Sequence, residues 1–180
     1  SELSKSLSKR RGEQFASYLA AGDKAAALMP ELQTLEQLSS MAPNGPLVGR
    51  VAEMFPEFND ASAAFMSMVQ RIAPTMRVEG SGSTSDIEFN AMLRSLGSLR
   101  NTPEANKMIY DAFRKKALLD QARAEVVTMY ENGEYDLSEA RTKLGELNKQ
   151  NILSDQLRSV IEGSDESTSP SGELTRPEWL

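Results

Sequence analysis

A chain of 180 residues holds one domain, or one domain with tails, and 39% hydrophobic and 6% aromatic content is thin for a large compact core. Cysteine and histidine are both absent, which excludes disulfides, thiolate chemistry, zinc fingers and imidazole acid–base catalysis. The net charge is −6, of which −4 falls between Glu162 and Leu180; the −2 left elsewhere offers no basic face, so there is no strong nucleic-acid signal.

Alanine and methionine supply much of the apolar surface, a composition suited to helix-on-helix packing rather than to a sheet. The predicted fold is therefore all-α. Residues 1–20 carry Leu3, Leu7, Phe15, Ala16 and Leu19 with a basic patch at Lys9, Arg10 and Arg11, predicting a helix that ends near Gly22. Such a segment can lie on an anionic membrane surface; the reading preferred is a charged helix with its apolar side on neighbours. Asp23 is a candidate N-cap for a second helix over 24–41, which Pro30 kinks or breaks. Leu32, Leu35 and Leu38 line one side of it. The turn cluster Pro43-Asn44-Gly45-Pro46 follows, then a short apolar helix from Leu47 to Phe55. A Met- and Phe-rich helix over 57–78 is capped by Asn59 or Asp60 and stops or bends at Pro74. Its methionines, with Met54, read as core before they read as a partner-binding face.

The loop Gly80-Ser81-Gly82-Ser83-Thr84-Ser85-Asp86 suggests a phosphate cradle at a helix start. The Lys-Ser/Thr of a P-loop is missing, and Asp86 and Glu88 would repel an anion. A capping box between Ser85 and Glu88 is the preferred reading. That helix bears Phe89, Met92, Leu93 and Leu96 and stops at Gly97. The clearest element is the next: Thr102 as N-cap, Pro103 in the first turn, Glu104 on the helix dipole, and Gly133 after the end frame one long amphipathic helix, 103–132. Lys115, Lys116 and Arg123 interrupt a coiled-coil seam along it, so it reads as the spine of a cluster of helical hairpins packed by Leu96, Leu99, Leu144 and Leu147. Ser138 is expected to cap a third helix and Ser154 a fourth. From Gly163 the text turns Ser/Asp/Glu/Pro-rich and is expected to be disordered in isolation. Segments 1–79, 80–162 and 163–180 follow from this punctuation.

Catalysis without His or Cys rests on carboxylates, Lys, Ser or Tyr. Asp86 and Glu88 lie two apart, on different sides of a helix, and cannot form a glycosidase pair. Glu166-Ser167, the dipeptide of muramidase-like transglycosylases, sits in the tail. Ser6 to Lys9 is the nearest approach to a Ser–Lys pair and lacks any supporting motif. Asn132 to Asp136 is too short for a calcium loop. No catalytic residues, cofactors or metal ligands are assigned, and the chain reads as non-enzymatic. Nothing approaches the ~18 consecutive apolar residues of a membrane span. The chain starts at Ser1 without Met, which fits processing and a piece of a longer protein equally. Near the other end, Trp179 and Leu180 read as a partner-binding anchor on an acidic tail, or as a mere boundary.

Gly80 to Phe89, Leu96-Gly97-Ser98-Leu99, Asn101-Thr102-Pro103-Glu104-Ala105-Asn106, Tyr130-x-x-Gly133 and Ser138-Glu139-Ala140 together resemble a segment of bacteriophage internal-virion, or DNA-ejection, proteins of short-tailed phages. The resemblance spans roughly residues 78–150. It implies a virion location and an inert, multi-copy helical structural protein near the portal or tail, assembling as a homo-oligomer with other virion proteins. It carries over no site residues. The alternative is a cytoplasmic helical adaptor or scaffold domain that binds a protein partner through its tail.

Overall fold

The computed structural model describes residues 1–41, 49–54, 56–58, 60–78, 81–99 and 102–168. The turn cluster at Pro43 to Pro46 and the candidate anchor Trp179–Leu180 lie outside them. Among the described residues the chain is all-α, with no strand: α1 (Glu2–Ser40), α2 (Gly49–Met54), α3 (Ala61–Met76), α4 (Thr84–Ser95), a 3-10 turn at Leu96–Ser98, α5 (Pro103–Glu131), α6 (Leu137–Asn148) and α7 (Asp155–Thr168).

α5 is the long central helix that its caps announce. The Thr102 side chain accepts from the Ala105 amide at 3.1 Å, and Gly133 turns the chain out at φ +79°. The longest helix, however, is α1. Two helices meeting near Gly22 were expected; one helix of 39 residues runs through Gly22, Asp23 and Pro30. Proline inside a helix costs ~3 kcal/mol. Ala25, Leu28, Leu32, Leu35 and Leu38 are buried on both sides of it, and each buried leucine returns ~1.5–3 kcal/mol, so tertiary burial overrides the local break. Pro74 is likewise absorbed inside α3, which Asp60 caps.

Pairs of contacts fix the directions. Phe15 meets Tyr130 edge-on at 5.4 Å, Gly22 lies against Ala124, and Tyr110 stands beside Glu36, so α1 and α5 run antiparallel along most of α5. Because Phe15 already faces the last turn of α5, the first dozen or so residues of α1 reach past its end. α4 is also antiparallel to α5, since Asp86 meets Arg123 while Phe89 packs edge-on against Phe113 at 5.1 Å. The main core draws on α1, α3, α4, α5 and α7 together, with Phe65, Met68, Ile72, Phe89 and Phe113 wholly buried. A second, smaller cluster joins Phe15 to Val126, Val127, Ala140 and Leu144 at the α1–α5–α6 end.

Candidate functional site

On α5, Lys116, Asp120 and Arg123 fall at i, i+4 and i+7, which places all three on one helix face. That face is the apolar stripe of Ile109, Phe113 and Val127, and it turns toward the start of α4. Lys116 and Arg123 are 0% and 2% exposed. A buried, unpaired cation is prohibitively costly, so each must find a counter-charge. Lys116 Nζ donates to both oxygens of Asp120 at 2.7 Å and stands 3.0 Å from Asp86 Oδ1. Arg123 Nη1 reaches Asp120 at 3.2 Å and Asp86 at 3.4 Å. Its Nη2 donates to Ser85 Oγ at 2.7 Å and to Ser83 Oγ at 3.1 Å.

The loop before α4 completes the cluster. Ser83 caps α4 by accepting from the Asp86 amide at 3.3 Å, and the Ser81 hydroxyl donates to Asp86 Oδ2. Gly82 at φ +68° lets the chain turn tightly enough to present these hydroxyls side by side. Two cations face two anions, so the cluster is neutral as a whole. Burial pushes the Asp86 carboxyl up, but the Lys116 ammonium, the Ser81 and Ser83 hydroxyls and the Arg123 guanidinium outweigh it and hold it at about 2. For Asp120 burial prevails: its carboxyl is raised above the ordinary value despite Lys116 and Arg123. Asp86 is thus a fixed anion that cannot serve as a general acid near neutral pH.

This cluster forms the floor of a cavity of about 730 Å³ walled by the N-terminal half of α1 and by α6. Arg10 and Arg11 enter from α1 and Arg141 from α6, with Leu7, Phe15 and Leu144 giving an apolar side. Tyr18 stands between, its hydroxyl accepting from Gln14 Nε2 at 3.1 Å and Asn148 Nδ2 at 3.0 Å, with the Arg123 guanidinium 5.7 Å from its ring centroid.

Several expectations are corrected here. The capping residue of α4 is Ser83, two positions before Ser85, because Ser85 is turned inward to Arg123. Glu88 does not reach back to its own helix start. Its Oε2 accepts from the Ile152 and Leu153 amides at 2.9 and 3.2 Å, and its Oε1 pairs with Arg158 at 2.9 Å, tying α4 to the start of α7. Asp86 and Glu88 do diverge, as two positions on a helix must. α6 is capped by Asp136 in a reciprocal box with Glu139, two residues before Ser138; Ser154 caps α7 as expected, accepting from Leu157 at 3.1 Å. Lys116 and Arg123, read as interruptions of a seam, are its buried centre. The signal was present: opposite charges at i, i+4 and i+7, in phase with the apolar stripe, are a pattern of internal pairing.

Compared with family models, with curated proteins and with solved structures, the chain matches none of them.

Proposed function

We propose that the chain is a non-enzymatic structural protein of a multi-copy helical assembly, in the class of phage DNA-ejection proteins that its central segment resembles, placed in the virion beside portal or tail components. The observation that carries this reading is the overhanging end of α1. Before Phe15 the arm runs past the end of α5 and faces α6 across a cavity, and Leu3 and Leu7, one turn apart on the same face, are 69% and 56% exposed. A helical stretch of this length is marginal alone in water. Two exposed leucines on it favour burial against another surface.

A second copy is the occupant that charge favours. The arm over residues 1–14 bears Lys5, Lys9, Arg10 and Arg11 against Glu2 and Glu13, a balance of +2, while residues 15–161 carry −4 and residues 162–180 a further −4. A basic, apolar arm from one copy thus complements the acidic body of the next. Because arm and body are different surfaces, the contact is heterologous, and such contacts close into rings or propagate as tubes. The central ion cluster fits an inert role as well, since its carboxylates are each held by Lys116 and Arg123 rather than offered to a substrate.

Size-exclusion chromatography with light scattering, over a range of concentration, tests the reading. The wild-type chain is expected as an oligomer and the L3E/L7E variant as a folded monomer. A wild-type monomer with a sharp thermal transition would sink the proposal and favour the adaptor alternative.

A further inference from the structure

We propose that the cavity between α1, α5 and α6 is a binding site for an organic phosphate, gripped by Arg10, Arg11 and Arg141. This goes beyond the assembly reading and uses Leu7, Arg10 and Arg11 within one copy, so its test is read on the unassembled chain as well. Arg10 and Arg11 of α1 and Arg141 of α6 line this one cavity, and among the described residues none of them has a carboxylate within 4.0 Å. The carboxylates that line the same cavity are Asp86 and Asp120. Both are spent on Lys116 and Arg123 in the neutral cluster below. A charge of +3 is therefore left uncompensated at the mouth of a cavity in a protein of net charge −6.

The shape selects further. About 730 Å³ lies within the range of small-molecule sites, roughly 300–1,000 Å³. Guanidinium forks match phosphate and carboxylate oxygens alike. A carboxylate, however, offers two coplanar oxygens, while a phosphoryl group offers three or four in a tetrahedron to donors arriving from two walls. Leu7, Phe15, Leu144 and the Tyr18 ring give the rest of the molecule an apolar side to lie on.

Gly145 also lines this space. It stands inside α6, where glycine weakens a helix. It does not serve a close helix contact, because a Cβ built there meets nothing within 4 Å. It lines the cavity instead, and a side chain at this position would project into space that a ligand needs.

Isothermal titration of the full chain, assembled and unassembled, with pyrophosphate, ATP and citrate tests the site. Saturable binding of both phosphates is expected, tighter for ATP because of the apolar wall, and weaker as sodium chloride is raised. In R10A/R11A/R141A, whose changes are at the mouth, both should bind at least tenfold more weakly. G145F, which fills the cavity without altering its charge, should lose ATP while its circular dichroism spectrum and thermal midpoint confirm the fold. Absence of saturable binding by either phosphate would overturn the proposal. Undiminished binding in either variant would do the same, as would citrate binding as tightly as pyrophosphate.

Discussion

Arg123 Nη2 donates to Ser85 Oγ at 2.7 Å across 38 residues of sequence, and this bond ties the middle of α5 to the first turn of α4 inside the protein. The same guanidinium holds Asp86, Asp120 and Ser83. Removing it leaves two carboxylates, 2% and 4% exposed, on one lysine. Arg123→Ala is expected to cost ~3–5 kcal/mol, the penalty for orphaning a buried charge. Replacing a balanced pair with apolar groups of similar size is far milder, so K116M/D120L, which leaves Arg123 facing Asp86, should lose less than R123A alone. Urea unfolding of the two variants checks this; equal losses would show that the cluster acts through packing and not through charge balance.

The two carboxylates of that cluster predict an acid limb with two opposed steps. Asp86 is held at about 2 against an ordinary 3.8, so the folded state binds its proton more weakly than the unfolded chain. Its contribution is fully present above pH 3.8 and is lost as pH falls toward 2; at ~1.4 kcal/mol per pK unit this is about 2 kcal/mol. Asp120 is raised, so its contribution has the opposite sign: stability falls as pH rises from 3.8 through its folded value. Urea midpoints between pH 2.5 and 7 should show D86N converging on the wild type below pH 4. D120N should differ most in pH dependence just above it. A D86N-to-wild-type gap that stays constant across this range would refute the assignment.

The helices were legible where local chemistry decides them, and illegible where tertiary contacts overrule it. Thr102, Pro103, Glu104 and Gly133 frame α5 by backbone needs that travel with the sequence. Pro30 and Gly22 gave the opposite local signal, a break; the side lined by Leu32, Leu35 and Leu38 was legible, but not that its burial in the main core would carry the helix through both residues. The site was less legible still. Ser81, Ser83, Ser85 and Asp86 were visible as a helix start, and Lys116 and Arg123 as charges on α5, but joining them requires the antiparallel pairing of α4 with α5. Arg10, Arg11 and Arg141 line one cavity only because α1 continues unbroken past the end of α5.

Glu88 predicts a local rather than global response. Its carboxylate is the acceptor for the Ile152 and Leu153 amides and the partner of Arg158, and it links α4 to a helix held otherwise by Leu157 and Ile161. Glu88→Ala leaves two amides short of an acceptor and costs ~2–4 kcal/mol on the usual scale for lost charged hydrogen bonds. Hydrogen exchange should accelerate from Ile152 to Ile161 while amides from Ile109 to Val127 keep their protection. Uniform acceleration across both stretches would mean that α7 is not a separable unit.

Gly22 gives the sharpest steric prediction. In an exposed helix, Gly→Ala stabilises by up to ~1 kcal/mol because alanine restricts the unfolded chain and favours the helix. At position 22 a Cβ would collide with the Cβ of Ala124 and stand 3.3 Å from the Asp120 carbonyl oxygen. Both obstacles belong to α5, and neither is the far end of a flexible side chain, so the two helices must separate. Overpacking of this kind costs ~1–3 kcal/mol, which exceeds the propensity gain. Gly22→Ala should therefore be destabilised, and the second change Ala124→Gly should restore much of the loss by returning the space. The same alanine substitution at Gly145, which has no neighbour within 4 Å, should stabilise the protein. Thermal melts of G22A, G22A/A124G and G145A separate the two cases; a stabilised G22A would show that α1 and α5 do not approach this closely.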